Sequence, residues 1–315
     1  MTLPRTETQA RPPRDWRDLR LRLLSASVLL PAGLFCIWFG GPFFALMLLV
    51  LLVAAGIEWA GLLRIPLRSI RGIVLCLWPT LACLAALVMG DWWQAIWVLM
   101  APLVLGAGVV AGTVAIGLAG LALLWLRLLP FGGQPGAAGQ ALGWSGLLDP
   151  DWGGAWFSVL FVVLVVIASD SGAYLVGRQI GGPKLAPSIS PGKTRSGAVG
   201  GLLSAGLAGA ILAVCLPSPL PVSGFGLAVS GALAGMLVGL VAQAGDLAES
   251  AFKRRCGVKD SGRSIPGHGG VLDRFDGLLA AAPLAALLSF LSPAGVPFWL
   301  AGAGLLAGGQ AVRHF

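Results

Sequence analysis

The chain has 315 residues, 57% of them hydrophobic and only 11% charged, with a mean hydropathy of +0.88. A soluble domain carries about a quarter charged residues, so this chain cannot solvate its own surface, and lipid must be the solvent for most of it. The net charge is +8, but the basic residues stand in short loops between apolar runs, which argues against nucleic acid as a partner.

The first 20 residues form a basic segment, and residues 21–315 read as a single transmembrane domain. Arg residues before an apolar stretch resemble a signal peptide. The stretch from about 21 to 39 is too long for a signal core and is followed by no small-x-small cleavage site, so it is expected to be an uncleaved first span. Arg14–Leu24 intersperses Arg with Leu and carries Trp16; it is either an interfacial helix on an anionic leaflet or a basic tail retained by charge. A hydrocarbon core of about 30 Å needs roughly 20 apolar residues per helix. Runs of that kind fall near 42–62, 72–89, 94–111, 112–130, 154–176, 197–216, 224–245 and 277–292, with a short tenth near 296–311. The fold class predicted is an all-α polytopic bundle of about nine or ten transmembrane helices. The 47 glycines suit close helix packing in a bilayer. Cys36, Cys76, Cys83, Cys215 and Cys256 include no Cys-x-x-Cys and read as small hydrophobes rather than disulfides or thiolate ligands.

Lys and Arg are retained in the cytoplasm. With the N-terminus inside, that side receives Arg5, Arg11, Arg14, Arg17, Arg20 and Arg22, then Arg64, Arg68 and Arg71, then Arg178, Lys184, Lys193 and Arg195. It also receives Lys253, Arg254, Arg255, Lys259, Arg263 and Arg274, with Arg313 after the tenth run. Arg127 alone is left at a far end, while Asp91, Asp149 and Asp151 fall outside. This separation predicts a multi-pass protein of the plasma (inner) membrane with its polar face in the cytoplasm.

The chemistry is expected in 246–276, which holds five of the 13 acidic residues and six of the 21 basic ones. Asp246, Glu249, Ser250 and Lys253 lie at i, i+3, i+4 and i+7, one face of a helix end. Asp273 and Asp276 share a face at the start of the next helix. Carboxylates brought together repel unless a cation neutralises them, and hard oxygen ligands in small number suit Mg²⁺. Between the helices lies Pro266-Gly267-His268-Gly269-Gly270, which fits either a backbone cradle for phosphate or a tight turn. His268 is expected to donate to phosphate, since no second His lies near it.

A second polar segment comes earlier. Asp170-Ser171-Gly172-Ala173-Tyr174 ends an apolar run, and Ser190-Pro191-Gly192-Lys193-Thr194 follows. The latter is not a Walker A loop, because Pro187 stands where that pattern needs its first Gly. Ser190, Lys193 and Thr194 make either a phosphate-binding turn or an orientation-setting loop. Acids within apolar runs are usually functional. Asp170 is expected to join the site; Glu58 sits near an inner helix end, where pairing with a basic residue would account for it.

These residues resemble the phosphatidate cytidylyltransferase (CDP-diacylglycerol synthase) family. The resemblance runs from Gly245-Asp246-Leu247 and Glu249 through Ser250, Lys253-Arg254, Lys259-Asp260, Pro266, His268-Gly269-Gly270 and Asp273-Arg274 to Asp276. With the segments at 170–174 and 190–194 it covers about 165–280; the N-terminal half resembles the family only in hydropathy and at Glu58-Trp59. Where the family usually has an aromatic or apolar residue, Glu and Gly after Lys-Thr, this chain has Arg195, Ser196 and Gly197, and the usual Ser after the last Asp is Gly277.

The resemblance implies synthesis of CDP-diacylglycerol and pyrophosphate from CTP and phosphatidate. It implies Mg²⁺ held by Asp246 and Asp273 with Asp276 nearby, and leaves a second cation open. Lys193, Lys253, Arg254, Lys259 and Arg274 would neutralise phosphates, Asp246, Asp273, Asp276, Lys253 and Arg274 forming the catalytic group. Ser190, Thr194, His268, Gly269 and Gly270 would contact CTP or phosphate, with Asp170, Glu249 and Asp260 in support. CTP and membrane phosphatidate are the partners implied, and a homodimer is left open. A CTP-dependent lipid kinase, a transporter and an inactive paralogue are the alternatives.

Overall fold

A computed structural model describes residues 16–89, 91–128, 156–218, 222–265, 269–292 and 296–302. The basic tail before Trp16, the 129–155 connection, His268 and most of the tenth run lie outside the described residues. Nine α-helices are described: α1 (Trp16–Phe39), α2 (Gly41–Leu62), α3 (Ile70–Met89), α4 (Trp92–Met100), α5 (Ala107–Leu128), α6 (Trp156–Ile180), α7 (Arg195–Cys215), α8 (Gly224–Arg255) and α9 (Leu272–Leu291). A small antiparallel hairpin, β1 (Lys184–Ala186) and β2 (Ser190–Thr194), joins α6 to α7. Seven of the helices are long and apolar enough to cross a membrane, and the chain is a multi-pass membrane protein.

The expected boundary between the fourth and fifth spans moves. The run from 94 to 130 is broken by Pro102 and Gly106 (φ +103°) rather than near 111. α4 has nine residues and is followed by a 3-10 turn, Ala101–Leu105. Together they still carry the chain from one end of the bundle to the other. Trp78 Nε1 of α3 donates to the Val98 carbonyl (2.7 Å) halfway along, and α5 then starts beside the end of α2, where Trp59 Nε1 donates to the Gly108 carbonyl (3.1 Å). The tenth run begins as a 3-10 turn, Phe298–Leu300, buried against α6 and α8. Phe161 stacks on Trp299, and the Ser230 hydroxyl donates to the Trp299 carbonyl.

Lipid tails offer no hydrophobic drive for helices to associate, so small residues that allow close contact decide the packing. Gly209 of α7 faces α8 so closely that a Cβ there would lie 2.2 Å from the Gly231 carbonyl oxygen. Gly235 and Gly239, each one turn further along α8, meet Ala205 in the same way. This seam locks α7 to α8 in register. α8 is a rod of 32 residues, about 48 Å at 1.5 Å per residue. It therefore outlasts a hydrocarbon core of about 30 Å, and its last turns carry Asp246 to Arg255 beyond the apolar stretch. The polar connection expected over 246–276 is thus helical as far as Arg255, and the loop proper is 256–271.

The bundle has two unlike ends. At one, Trp38 packs on Trp156 and Trp92 on Trp125, as in an aromatic belt. The buried Arg127 there donates from Nε to the Ile37 carbonyl (3.0 Å) and from Nη2 to the Trp38 carbonyl (3.3 Å), a cation on the carbonyl end of α1. Every other described Lys and Arg lies toward the opposite end, where α1, α3, α7 and α9 begin and α2, α6 and α8 finish.

Candidate active site

At the basic end, α6, the hairpin, α8 and α9 bring most of the expected site residues together, in two groups of different character. Asp170 of α6, Asp246 of α8 and Asp276 of α9 lie near enough to repel one another electrostatically. Helix approach explains the juxtaposition: a Cβ on Gly245 would lie 3.1 Å from the Asp276 carbonyl oxygen. Gln243, one turn before Asp246, donates from Nε2 to the Ser169 hydroxyl (3.1 Å) and the Ala198 carbonyl (3.2 Å), tying α8 to α6 and α7 beneath the acids. Lys193 reaches in from β2 to form an ion pair with Asp246, and the Ser250 hydroxyl donates to Asp246 Oδ1 at 3.4 Å. The Lys193 and Asp246 side chains are 29% and 25% exposed, so this group opens to the surface.

The second group is closed. Lys253 Nζ sits 2.6 Å from Glu249 and 2.7 Å from Asp273, and its side chain is 9% exposed and that of Glu249 4%. The Asp273 carboxylate also accepts the Ser261 N–H on both oxygens and the Gly270 N–H on Oδ2, each at 3.0 Å. Lys253 and Asp273 therefore bind α8, α9 and the loop to one another. Gly270, expected in a phosphate cradle, already donates its N–H to Asp273. Gly269 adopts φ +88°, and a Cβ on Gly270 would lie 2.2 Å from the Ser261 hydroxyl. The turn reading thus explains both glycines.

The hairpin shows the same division. Thr194 caps α7 by accepting the Gly197 N–H (3.0 Å), and Ser196 donates to the Gly181 carbonyl while touching the Thr194 hydroxyl. Arg254 donates to the Ile189 carbonyl (3.2 Å) and the Val258 carbonyl (3.1 Å), holding the hairpin against the end of α8. Ser190 is half-buried in β2, and Lys259, Asp260 and Arg274 are exposed around the rim.

Glu58 departs from expectation. Among the described residues it meets no basic side chain; it accepts the Val271 N–H (2.8 Å), the Leu272 N–H (2.8 Å) and the Ser261 hydroxyl (3.0 Å). Its neighbour Trp59 stacks on Phe252 beside Lys253, centroids 4.5 Å apart. Ser261 and Gln243 carried no signal in the sequence, being single polar residues without charge.

A family model described as the cytidylyltransferase family matches residues 20–292. A protein of Brucella suis named phosphatidate cytidylyltransferase is 37% identical over 272 residues, covering 85% of this chain and 92% of that protein. Proteins of the same name from Haemophilus influenzae and Staphylococcus saprophyticus are 46% and 44% identical over 132 and 131 residues, covering 40% and 41% of this chain and 43% and 48% of their own lengths. With the family match running from residue 20 to residue 292, across both the helical frame and the carboxylate groups, the chain belongs to the cytidylyltransferase family.

Proposed function

We propose that the chain is a phosphatidate cytidylyltransferase that makes CDP-diacylglycerol and pyrophosphate from CTP and phosphatidate. The observation that carries this reading is the open group of Asp170, Asp246 and Asp276 with Lys193, placed where a helix rod leaves its apolar stretch. A water-soluble nucleotide can meet a lipid headgroup there while the acyl chains stay in the bilayer. The phosphate oxygen of phosphatidate bonds to the α-phosphorus of CTP, the bond to the bridging oxygen breaks, and the electron pair leaves with pyrophosphate. The nucleophile is already an anion, so no proton must be removed. What the protein has to supply is position and compensation of negative charge. Lys193 at the mouth of the carboxylate group and Arg254, Lys259 and Arg274 around it are the side chains we assign to the phosphates.

A divalent cation of the Mg²⁺ kind fits the open group by charge, since three repelling carboxylates face one ammonium. No three such ligands close on a common point among the described residues, so holding it requires the acids to draw together as Lys193 leaves Asp246. Asp246, with Asp276 and Asp170, would hold the ion; Asp273 would join only by giving up a bond to Lys253, Ser261 or Gly270. Bound there, the ion would stabilise charge on the α-phosphorus and the leaving pyrophosphate.

We place the site on the cytoplasmic face of the bacterial plasma membrane, on the strength of Lys and Arg at that end of the bundle and bacterial relatives. Sealed inverted vesicles from expressing cells, given external CTP and phosphatidate, should incorporate label from the α-phosphate into lipid and release γ-label in pyrophosphate. Label from the γ-phosphate in lipid would instead make the protein a kinase. Incorporation by right-side-out vesicles alone would reverse the orientation.

A further inference from the structure

Glu58 of α2 is a carboxylate that the N-terminal half brings to the basic end, and it is 4% exposed. A charge so placed persists only where donors replace water. The three donors here are the Ser261 hydroxyl from within the 256–271 loop and the Val271 and Leu272 N–H groups where the loop passes into α9. Those N–H groups belong to the first turn of α9, which has no side-chain cap of its own and whose unpaired donors favour an anion. Glu58 is that cap, supplied from more than 200 residues away.

Ser261 joins it to the rest of the site, because its N–H donates to Asp273 while its hydroxyl donates to Glu58. The fit is close: a Cβ on Gly262 or Gly270 would come within 2.9 Å or 2.6 Å of the Glu58 carboxylate. The loop that precedes Asp273, Arg274 and Asp276 is thus held at Ser261 and at its far end by one side chain, while Trp59 steadies α8 at Phe252.

We propose that Glu58 is a positioning residue for the transfer reaction: by pinning Ser261 to the start of α9 it sets where Arg274 and Asp276 stand relative to Asp246. The proposal rests on the transfer activity proposed above, and turnover by the unchanged chain in the same assay reports on that activity separately. The test uses the purified full chain with Glu58→Gln, Ser261→Ala and the double variant. It measures the thermal midpoint, kcat, and KM for CTP and for phosphatidate. Glutamine keeps the shape but turns an NH₂ toward donors that need an acceptor.

Misplacement by an ångström can cost about a hundredfold in rate, so Glu58→Gln should lower kcat by about 30- to 300-fold in protein that remains folded, with KM for phosphatidate unchanged. Ser261→Ala should lower kcat about 3- to 10-fold, and the double variant should be hardly worse than Glu58→Gln, because both act through one contact. Glu58→Gln protein with kcat within threefold of the unchanged chain, or with activity lost only in proportion to unfolded protein, overturns the proposal. If Glu58→Gln does not fold, Ser261→Ala decides alone, and full activity there overturns it equally.

Discussion

Two sets of carboxylates stand within a few helical turns of each other and have opposite fates. Glu58, Glu249 and Asp273 are surrounded: each has an ammonium, a hydroxyl or backbone N–H groups against it. Asp170, Asp246 and Asp276 lie near enough to repel one another, with Lys193 paired to Asp246. In the first set Glu58 and Asp273 are hydrogen-bonded within the protein, while Glu249 has its ion pair with Lys253 and a buried Oε1 that no hydrogen bond reaches among the described residues; we read this set as the frame. The second set is under-neutralised and partly open, so it gains most from an added cation or from cationic side chains recruited with a phosphate. Sequence proximity to the signature does not separate the two sets. Asp273 and Asp276 are three residues apart, yet they fall on opposite sides of this division.

The largest expected effect comes from the open set. Asp246→Asn removes a charge that repels its neighbours and leaves Lys193 partly exposed to water. It should cut kcat by about a thousandfold or more, about 4 kcal/mol of transition-state stabilisation, while the thermal midpoint stays level or rises. A folded Asp246→Asn protein with near-normal turnover would remove this residue from the chemistry. Asp273→Asn should break the frame instead. It leaves Lys253 with Glu249 alone and turns an amide NH₂ toward donors, and breaking a buried pair costs about 3 kcal/mol. Its thermal midpoint should therefore fall clearly, along with activity; an unchanged midpoint in calorimetry would place Asp273 with the open set. The smallest effect belongs to Ser196→Ala, which deletes the hydroxyl held by the Gly181 carbonyl. A neutral hydrogen bond of this kind contributes about 1 kcal/mol, so stability should drop slightly and kcat should stay within about fivefold by the conversion of that energy to rate. A hundredfold loss would show that Ser196 does part of the work of the family's Glu at that position.

The spans were legible because a continuous apolar run has few alternatives to a membrane helix, and the segregation of Lys and Arg followed from the same count. The break at Gly106 was not, since 94–130 is apolar throughout and hydropathy carries no mark of where a helix bends; Pro102 and Gly106 were the available sign. The site was legible as a list of residues but not as two groups. Helical spacing places Asp273 and Asp276 about 60° apart around their axis, enough for one to face the loop and the other the neighbouring acids. The partner of Glu58 was illegible for a different reason. Its expected partner was a basic side chain, whereas the structure uses backbone N–H groups, which every residue has and no sequence advertises.

The continuity of α8 has a mechanical consequence. Its glycine seam with α7 lies in the apolar stretch and its carboxylates lie at the tip, so a tilt of the helix about the seam would be magnified at the tip. Helices answer a change in hydrocarbon thickness by tilting, and a tilt of about 5° over an arm of about 20 Å, counted at 1.5 Å per residue, moves the tip by nearly 2 Å. That is the scale on which reacting groups lose alignment. Any such tilt would have to be taken up by the Lys253–Asp273 and Arg254–Ile189 contacts that hold the tip.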